Sequence, residues 1–178
     1  NITAVVLDKT GTVTEGKPVI TDRFYQCSDD LINNTNLIIE AIESHSEHPL
    51  ARAIAQGVVS NPSESELPAV EPLRVEDFKS HPGLGVSALV DGEPWYLGNE
   101  AWMNKQGVDC AELKQVSSRC SEEAKSLVYV ATQAGLVALF AVADPVKQDS
   151  ASAISELQGA GLKVILLSGD NRSTAEAI

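Results

Sequence analysis

Ile2-Thr3-Ala4-Val5-Val6-Leu7 runs without interruption into Asp8-Lys9-Thr10-Gly11-Thr12. A continuous apolar, β-branched run that ends on polar residues is the pattern of a central parallel strand with a functional loop at its C-terminal end. Asp8 then stands at a strand end, facing a crevice. A carboxylate there can act as a nucleophile without a base to activate it. Gly11 permits a tight turn, and the hydroxyls and N–H groups around it can hold phosphate oxygens. On local chemistry alone, the loop reads first as a turn rich in small polar side chains.

A second strand–loop unit closes the sequence. Leu162 to Leu167 is apolar and is followed by Ser168-Gly169-Asp170-Asn171. Ahead of it, Ala153, Ile154, Leu157 and Ala160 recur with helical spacing, and Gly159 and Gly161 stop the helix. The middle of the chain reads differently. Leu37, Ile38, Ala41 and Ile42 predict one amphipathic helix, and Leu50, Ile54 and Val58 predict another behind Pro49. After a polar stretch from Asn61 to Glu66, strands are expected over 73–78, 86–90 and 94–97, with a hairpin turn at Asp91-Gly92. Short helices around Ala101 and Leu113 lead to a last hairpin, 127–132 and 136–143. The simplest architecture is an α/β domain built from residues 1–20 and 140–178. Into it is inserted an α+β domain, an antiparallel sheet flanked by helices, over residues 21–139.

Bulk properties narrow the function. The 178 residues are 43% hydrophobic and 21% charged, ordinary values for a globular protein. A net charge of −12 disfavours nucleic acid or an anionic membrane as a direct partner. It leaves phosphate ligands open, because backbone N–H groups and a metal ion offset charge locally. Cys27, Cys110 and Cys120 are far apart, form no CxxC, and are read as structural thiols. Asn1 lies almost at the start of a strand and Ile178 inside an expected helix, so the sequence reads as an excised piece.

Asp8-Lys9-Thr10-Gly11-Thr12-Val13-Thr14 resembles the phosphorylation signature of P-type ATPases, a branch of the haloacid dehalogenase superfamily. The resemblance implies an incomplete Rossmann-like phosphorylation domain in which Asp8 takes the γ-phosphoryl of ATP. It also implies Mg²⁺ held partly by the Asp8 carboxylate and the Thr10 carbonyl. Phosphatases of the superfamily usually carry a second Asp where this chain has Thr10, and a Thr cannot shuttle protons near neutral pH. A longer-lived phosphoenzyme follows. Lys9 and Thr12 belong to the same signature. Ser168-Gly169-Asp170 resembles the superfamily's second motif, with Ser168 where Thr is usual. Asp144-Pro145-Val146-Lys147 resembles the hinge-side motif, with Lys147 where Arg is also common.

Ser46-Glu47-His48-Pro49 resembles a motif confined to heavy-metal P-type ATPases, which implies Glu47 and His48 as adenine contacts. Gly83-Leu84-Gly85-Val86 is by itself a turn before a strand. Followed by Gly98-Asn99, it repeats the subfamily's pattern, so Gly83, Gly85, Gly98 and Asn99 are assigned to ATP binding by resemblance. His45 and His81 carry no mark of metal ligands, and Trp95 and Trp102 read as core aromatics.

The resemblance spans essentially the whole chain and lies nearest the copper-exporting branch. It implies the cytoplasmic portion of an integral membrane pump coupling ATP hydrolysis to export of Cu⁺, which is bound elsewhere. Actuator and transmembrane domains would be its partners. A Zn²⁺ or Cd²⁺ pump, a soluble phosphatase and a nucleotide-sensing module are the rivals. A phosphoryl-contacting Lys and a Gly-Asp-Gly-x-Asn-Asp loop are expected to lie beyond Ile178, so the piece alone is expected to be nearly inactive.

Overall fold

The computed structural model describes residues 3–58, 73–123 and 125–167. Two sheets occur among them. β1 (Ala4–Asp8) pairs in parallel with β8 (Lys163–Leu167), bringing Asp8 level with Leu167. The other sheet has six antiparallel strands in the order β2-β7-β6-β5-β4-β3. They are β2 (Val19–Tyr25), β3 (Val75–His81), β4 (Gly85–Val90), β5 (Glu93–Gly98), β6 (Ser126–Thr132) and β7 (Gly135–Ala143).

Helices cover both faces of the larger sheet. α1 (Asp29–Glu43) and α2 (Pro49–Val58) press Ile39, Ile42 and Ile54 onto Val86, Val128, Val130 and Phe140. On the opposite face, α3 (Glu100–Lys105) brings Trp102 and Met103 against Tyr129, Ala131 and Leu139. A 3₁₀ turn, Ala111–Leu113, and α4 (Lys114–Glu122) follow α3. Successive strand residues point to opposite faces, so Val128 and Val130 feed one core while Tyr129 and Ala131 feed the other. Burial on both faces explains why β6 and β7 read as unbroken apolar runs despite being antiparallel. Trp95 and Trp102 are buried, as their reading as core aromatics expects.

One feature departs from the sequence reading. β2 was not expected as a strand. Its alternation is broken by a register shift between Ile20 and Asp22, and by Asp22 itself, which is partly buried where it pairs with Lys125 Nζ at 2.7 Å. Ile20 nevertheless packs under α2: a side chain at Gly57 would meet Ile20 Cδ1 at 2.6 Å. β1 carries the apolar run expected of a strand in an incomplete sheet. Among the described residues only β8 pairs with it, and Val6 is 53% exposed and Leu167 58%. α5 (Gln148–Gly159) precedes β8. No helix among the described residues is long and apolar enough to cross a membrane.

Candidate functional site

The chain leaves β1 at Asp8, an exposed side chain, and turns through residues 9–13 with Gly11 at φ +78°. Two segments then run side by side between the sheets, joined by an antiparallel bridge from Thr14 to Val146. Thr14 is fully buried and donates its hydroxyl to Asp144 Oδ2 at 2.5 Å. The same Thr14 oxygen accepts from the Gly11 N–H at 3.2 Å, and Asp144 Oδ1 accepts from the Lys17 N–H at 3.0 Å. Lys147 donates Nζ to the Gly11 carbonyl at 2.7 Å, and Ser150 Oγ donates to the Val13 carbonyl at 2.8 Å. Lys147 therefore holds the Asp8 loop at the Gly11 backbone, and Asp144 holds it through the Thr14 hydroxyl. Thr10 and Thr12 are exposed on that loop. Ser168, Gly169 and Asp170 lie outside the described residues.

A cavity of about 290 Å³ opens between the start of α2 and the β3–β4 turn. His48, Gly83, Gly85, Gly98 and Asn99 all line it. Glu47 does not; it lines an adjoining polar depression with His45, Ser46 and Arg52. The His48 ring is oriented by its own helix, because Nδ1 accepts the Leu50 N–H at 3.2 Å. That bond leaves the proton of the neutral ring on Nε2.

The four remaining residues hold one another. Gly85 pairs with Gly98 across β4 and β5. A Cβ on Gly98 would sit 2.3 Å from the Leu84 carbonyl oxygen, and one on Gly85 would sit 2.1 Å from that of Leu97. Asn99 donates Nδ2–H to the Gly83 carbonyl at 2.8 Å and accepts the Trp102 N–H at 2.9 Å, capping α3 while anchoring the turn. Gly83 has φ +73° and open space where a Cβ would be. Gly98→Ala is therefore expected to cost about 1–3 kcal/mol with no nucleotide present, as a methyl forced against backbone does. Urea unfolding of the ligand-free protein measures it, and an unchanged midpoint would remove the close approach from the account.

Glu43 is the residue that the sequence reading missed. It ends α1, is only 4% exposed, and lines the cavity beside His48. Burial pushes its carboxyl up to about 7 from an ordinary 4.5. A signal was available: Glu43 stands four residues after Ile39 and directly after Ile42, both fully buried, so it continues the apolar face of α1. An acidic residue there calls for a partner.

The architecture thus combines a strand-end Asp with an exposed carboxylate, a parallel β1–β8 pair and a helix-covered antiparallel sheet. Residues 2–178 match the haloacid dehalogenase-like hydrolases, and the chain belongs to that family. Within it, the chain is 38% identical over 176 residues to the copper-transporting P-type ATPase of Rhizobium leguminosarum bv. viciae, covering 98% of this chain and 20% of that protein. It is 34% identical over 177 residues to the copper-exporting P-type ATPase of Staphylococcus saprophyticus subsp. saprophyticus, covering 99% and 21%. A crystal structure of a zinc-transporting PIB-type ATPase in its E2.Pi state superposes with a TM-score of 0.70 at 28% identity, covering 99% of this chain and 27% of that one. The chain spans about a fifth of the length of the curated relatives it matches.

Proposed function

We propose that this chain is the ATP-binding and phosphorylation region of a membrane P-type ATPase that exports a heavy-metal cation, Cu⁺. The observation that carries the reading is Asp8, exposed at the end of a parallel strand, in a chain similar along its length to copper-transporting ATPases. In this reading residues 1–20 and 140–178 form the phosphorylation domain and residues 21–139 bind nucleotide. The region faces the cytoplasm, next to actuator and transmembrane domains, and the cation binds outside it. A zinc-transporting structure at 28% identity keeps Zn²⁺ as a second reading for the cargo.

The chemistry assigned to Asp8 is in-line attack of a carboxylate oxygen on the γ-phosphorus of ATP. The new O–P bond forms as the bond to the β-γ bridging oxygen breaks, and ADP leaves with that electron pair. Lys147 and Asp144 hold the loop path through Gly11 and Thr14. Thr10, two positions after Asp8, offers no proton shuttle, which supports a persistent aspartyl phosphate over phosphatase turnover. The oxygen donors Asp8 and Thr10 suit Mg²⁺, which takes one or two protein oxygens and completes its shell with water and phosphate. When bound, Mg²⁺ neutralises charge on the phosphates. Lys9, Thr12, Ser168, Gly169 and Asp170 complete the proposed phosphoryl site.

The adenine end belongs to the cavity, with His48 stacking on the base. A base–aromatic stack is worth about 1–3 kcal/mol, a tenfold to hundredfold change in affinity. His48→Gln is expected to weaken ATP binding by about that factor in calorimetric titration. Unaltered affinity would move the base out of the cavity.

A further inference from the structure

The cavity wall carries two imidazoles and one carboxyl group, and among the described residues no lysine or arginine lines it. Arg52 belongs instead to the adjoining depression, in the company of Glu47. A polyphosphate approaching a chain of net charge −12 therefore meets only one kind of side chain here that can become a cation. Imidazole is the side chain that takes up a proton near neutral pH. His48 stands on the α2 side of the cavity, with Nδ1 engaged by the Leu50 N–H. His81 stands on the opposite side, at the end of β3, where the wall continues through Pro82, Gly83 and Gly85.

His81 is held from several sides. Its Nε2 is hydrogen-bonded to Ser87 Oγ on β4 at 3.0 Å, and its carbonyl accepts the Leu84 N–H at 3.0 Å. Its ring lies over that of Trp102, with centroids 4.1 Å apart and 30° between the planes. Trp102 is itself fixed, buried and donating Nε1–H to the Val86 carbonyl at 3.2 Å. The other ring nitrogen, Nδ1, has no hydrogen bond among the described residues. The Ser87 hydroxyl can donate to a neutral Nε2 or accept from a protonated one, so it serves either charge state. The indole face favours a cation over it. Two further titratable groups share the cavity wall, His48 from α2 and Glu43 from α1, and neither forms an ion pair with His81 among the described residues.

We propose that His81 is the phosphate-side partner of the nucleotide: as the imidazolium, it donates Nδ1–H to a phosphate oxygen while His48 stacks on the base. The inference rests on the cavity being the nucleotide site. Small-molecule sites run from about 300 to 1,000 Å³, so a cavity of about 290 Å³ encloses the base end of ATP and leaves the phosphates at its mouth. The β3–β4 turn, with Pro82 and Gly83 exposed, borders that mouth beside His81. A charge-assisted hydrogen bond changes affinity by about tenfold to hundredfold. Only phosphorylated ligands gain it. Adenosine has the same base and ribose, and gains nothing. His81 thus sets how much tighter the cavity holds ATP than adenosine.

Adenosine, ADP and ATP are titrated calorimetrically into wild type and into His81→Phe, which keeps a ring on Trp102 and removes both nitrogens. Expected is a loss of about tenfold to hundredfold for ADP and ATP, with adenosine unchanged. A second measurement needs no substitution at His81 and keeps the test decisive if that variant folds poorly. The chain has three histidines, so His45→Gln and His48→Gln identify the His81 ring signals in nitrogen–proton NMR spectra by elimination. ATP should move the His81 signals of wild type to the imidazolium position, and adenosine should not. A His81→Phe protein that binds ATP as wild type does overturns the proposal. Equal losses for adenosine and ATP overturn it too, since His81 would then touch the base or serve only the fold, as do ring signals that respond alike to both ligands. Wild type that binds neither adenosine nor ATP overturns the nucleotide reading of the cavity, and this inference with it.

Discussion

Full-length protein carrying Asp8→Asn is expected to form no acid-stable phosphoenzyme from labelled ATP, while binding the nucleotide as tightly as wild type. The carboxamide has nearly the same shape as the carboxylate but lacks the charge and nucleophilicity that attack on phosphorus requires. Asp8 ends β1, and the cavity that we assign to the base draws its walls from α1, α2, β3 to β6 and the loops between them. None of the residues lining that cavity comes from the 8–14 loop. The expected loss is therefore complete in the chemical step and absent in binding. Acid quenching followed by gel autoradiography reads the first, and calorimetry the second. Residual labelling at the wild-type level would mean that another residue is the nucleophile.

A second large effect lies in stability and belongs to Glu43. Its carboxyl is raised from 4.5 to about 7 by burial. A pKa higher in the folded than in the unfolded chain means that the fold favours the protonated form. The associated stability is fully present below about pH 4.5 and is lost as pH rises through 7. A shift of this size corresponds to about 3 kcal/mol, a sizeable share of the 5–15 kcal/mol typical of a domain. Glu43→Gln, permanently neutral, should match wild type near pH 4.5 and exceed it by about that amount at pH 8. Denaturant unfolding at both pH values measures the difference. Parallel profiles would place the Glu43 carboxylate in contact with water or with a cation.

Much of the fold was legible because local chemistry and burial agree. Asp91-Gly92 reads as a two-residue turn, and both residues adopt positive φ, at 50° and 84°, as the hairpin requires. Pro49 opens α2, and Gly159 with Gly161 closes α5, as turn chemistry predicts. β2 was hidden because Asp22 answers to Lys125, 103 residues away, and no local pattern announces such a partner. Within the site, the resemblance drew attention to Glu47 because it sits inside a recognisable string. Glu43 lies four residues earlier, outside that string, and declares itself only through the face of α1 that it occupies. His48 sits inside the string and lines the cavity.

The mutual contact of Gly85 and Gly98 has a consequence for descent. Neither can gain a side chain without displacing the other's strand, so selection against change at either position acts through folding, whatever the cavity holds. A descendant that had stopped using nucleotide altogether would still inherit both glycines unchanged. His48 and Glu43 are under the opposite regime: the ring caps a helix that other residues can cap, and the carboxyl destabilises the fold at neutral pH. Once the ligand was gone, drift would remove these two first. Their joint retention in a lineage is a record of use, and the glycine pair is a record of architecture.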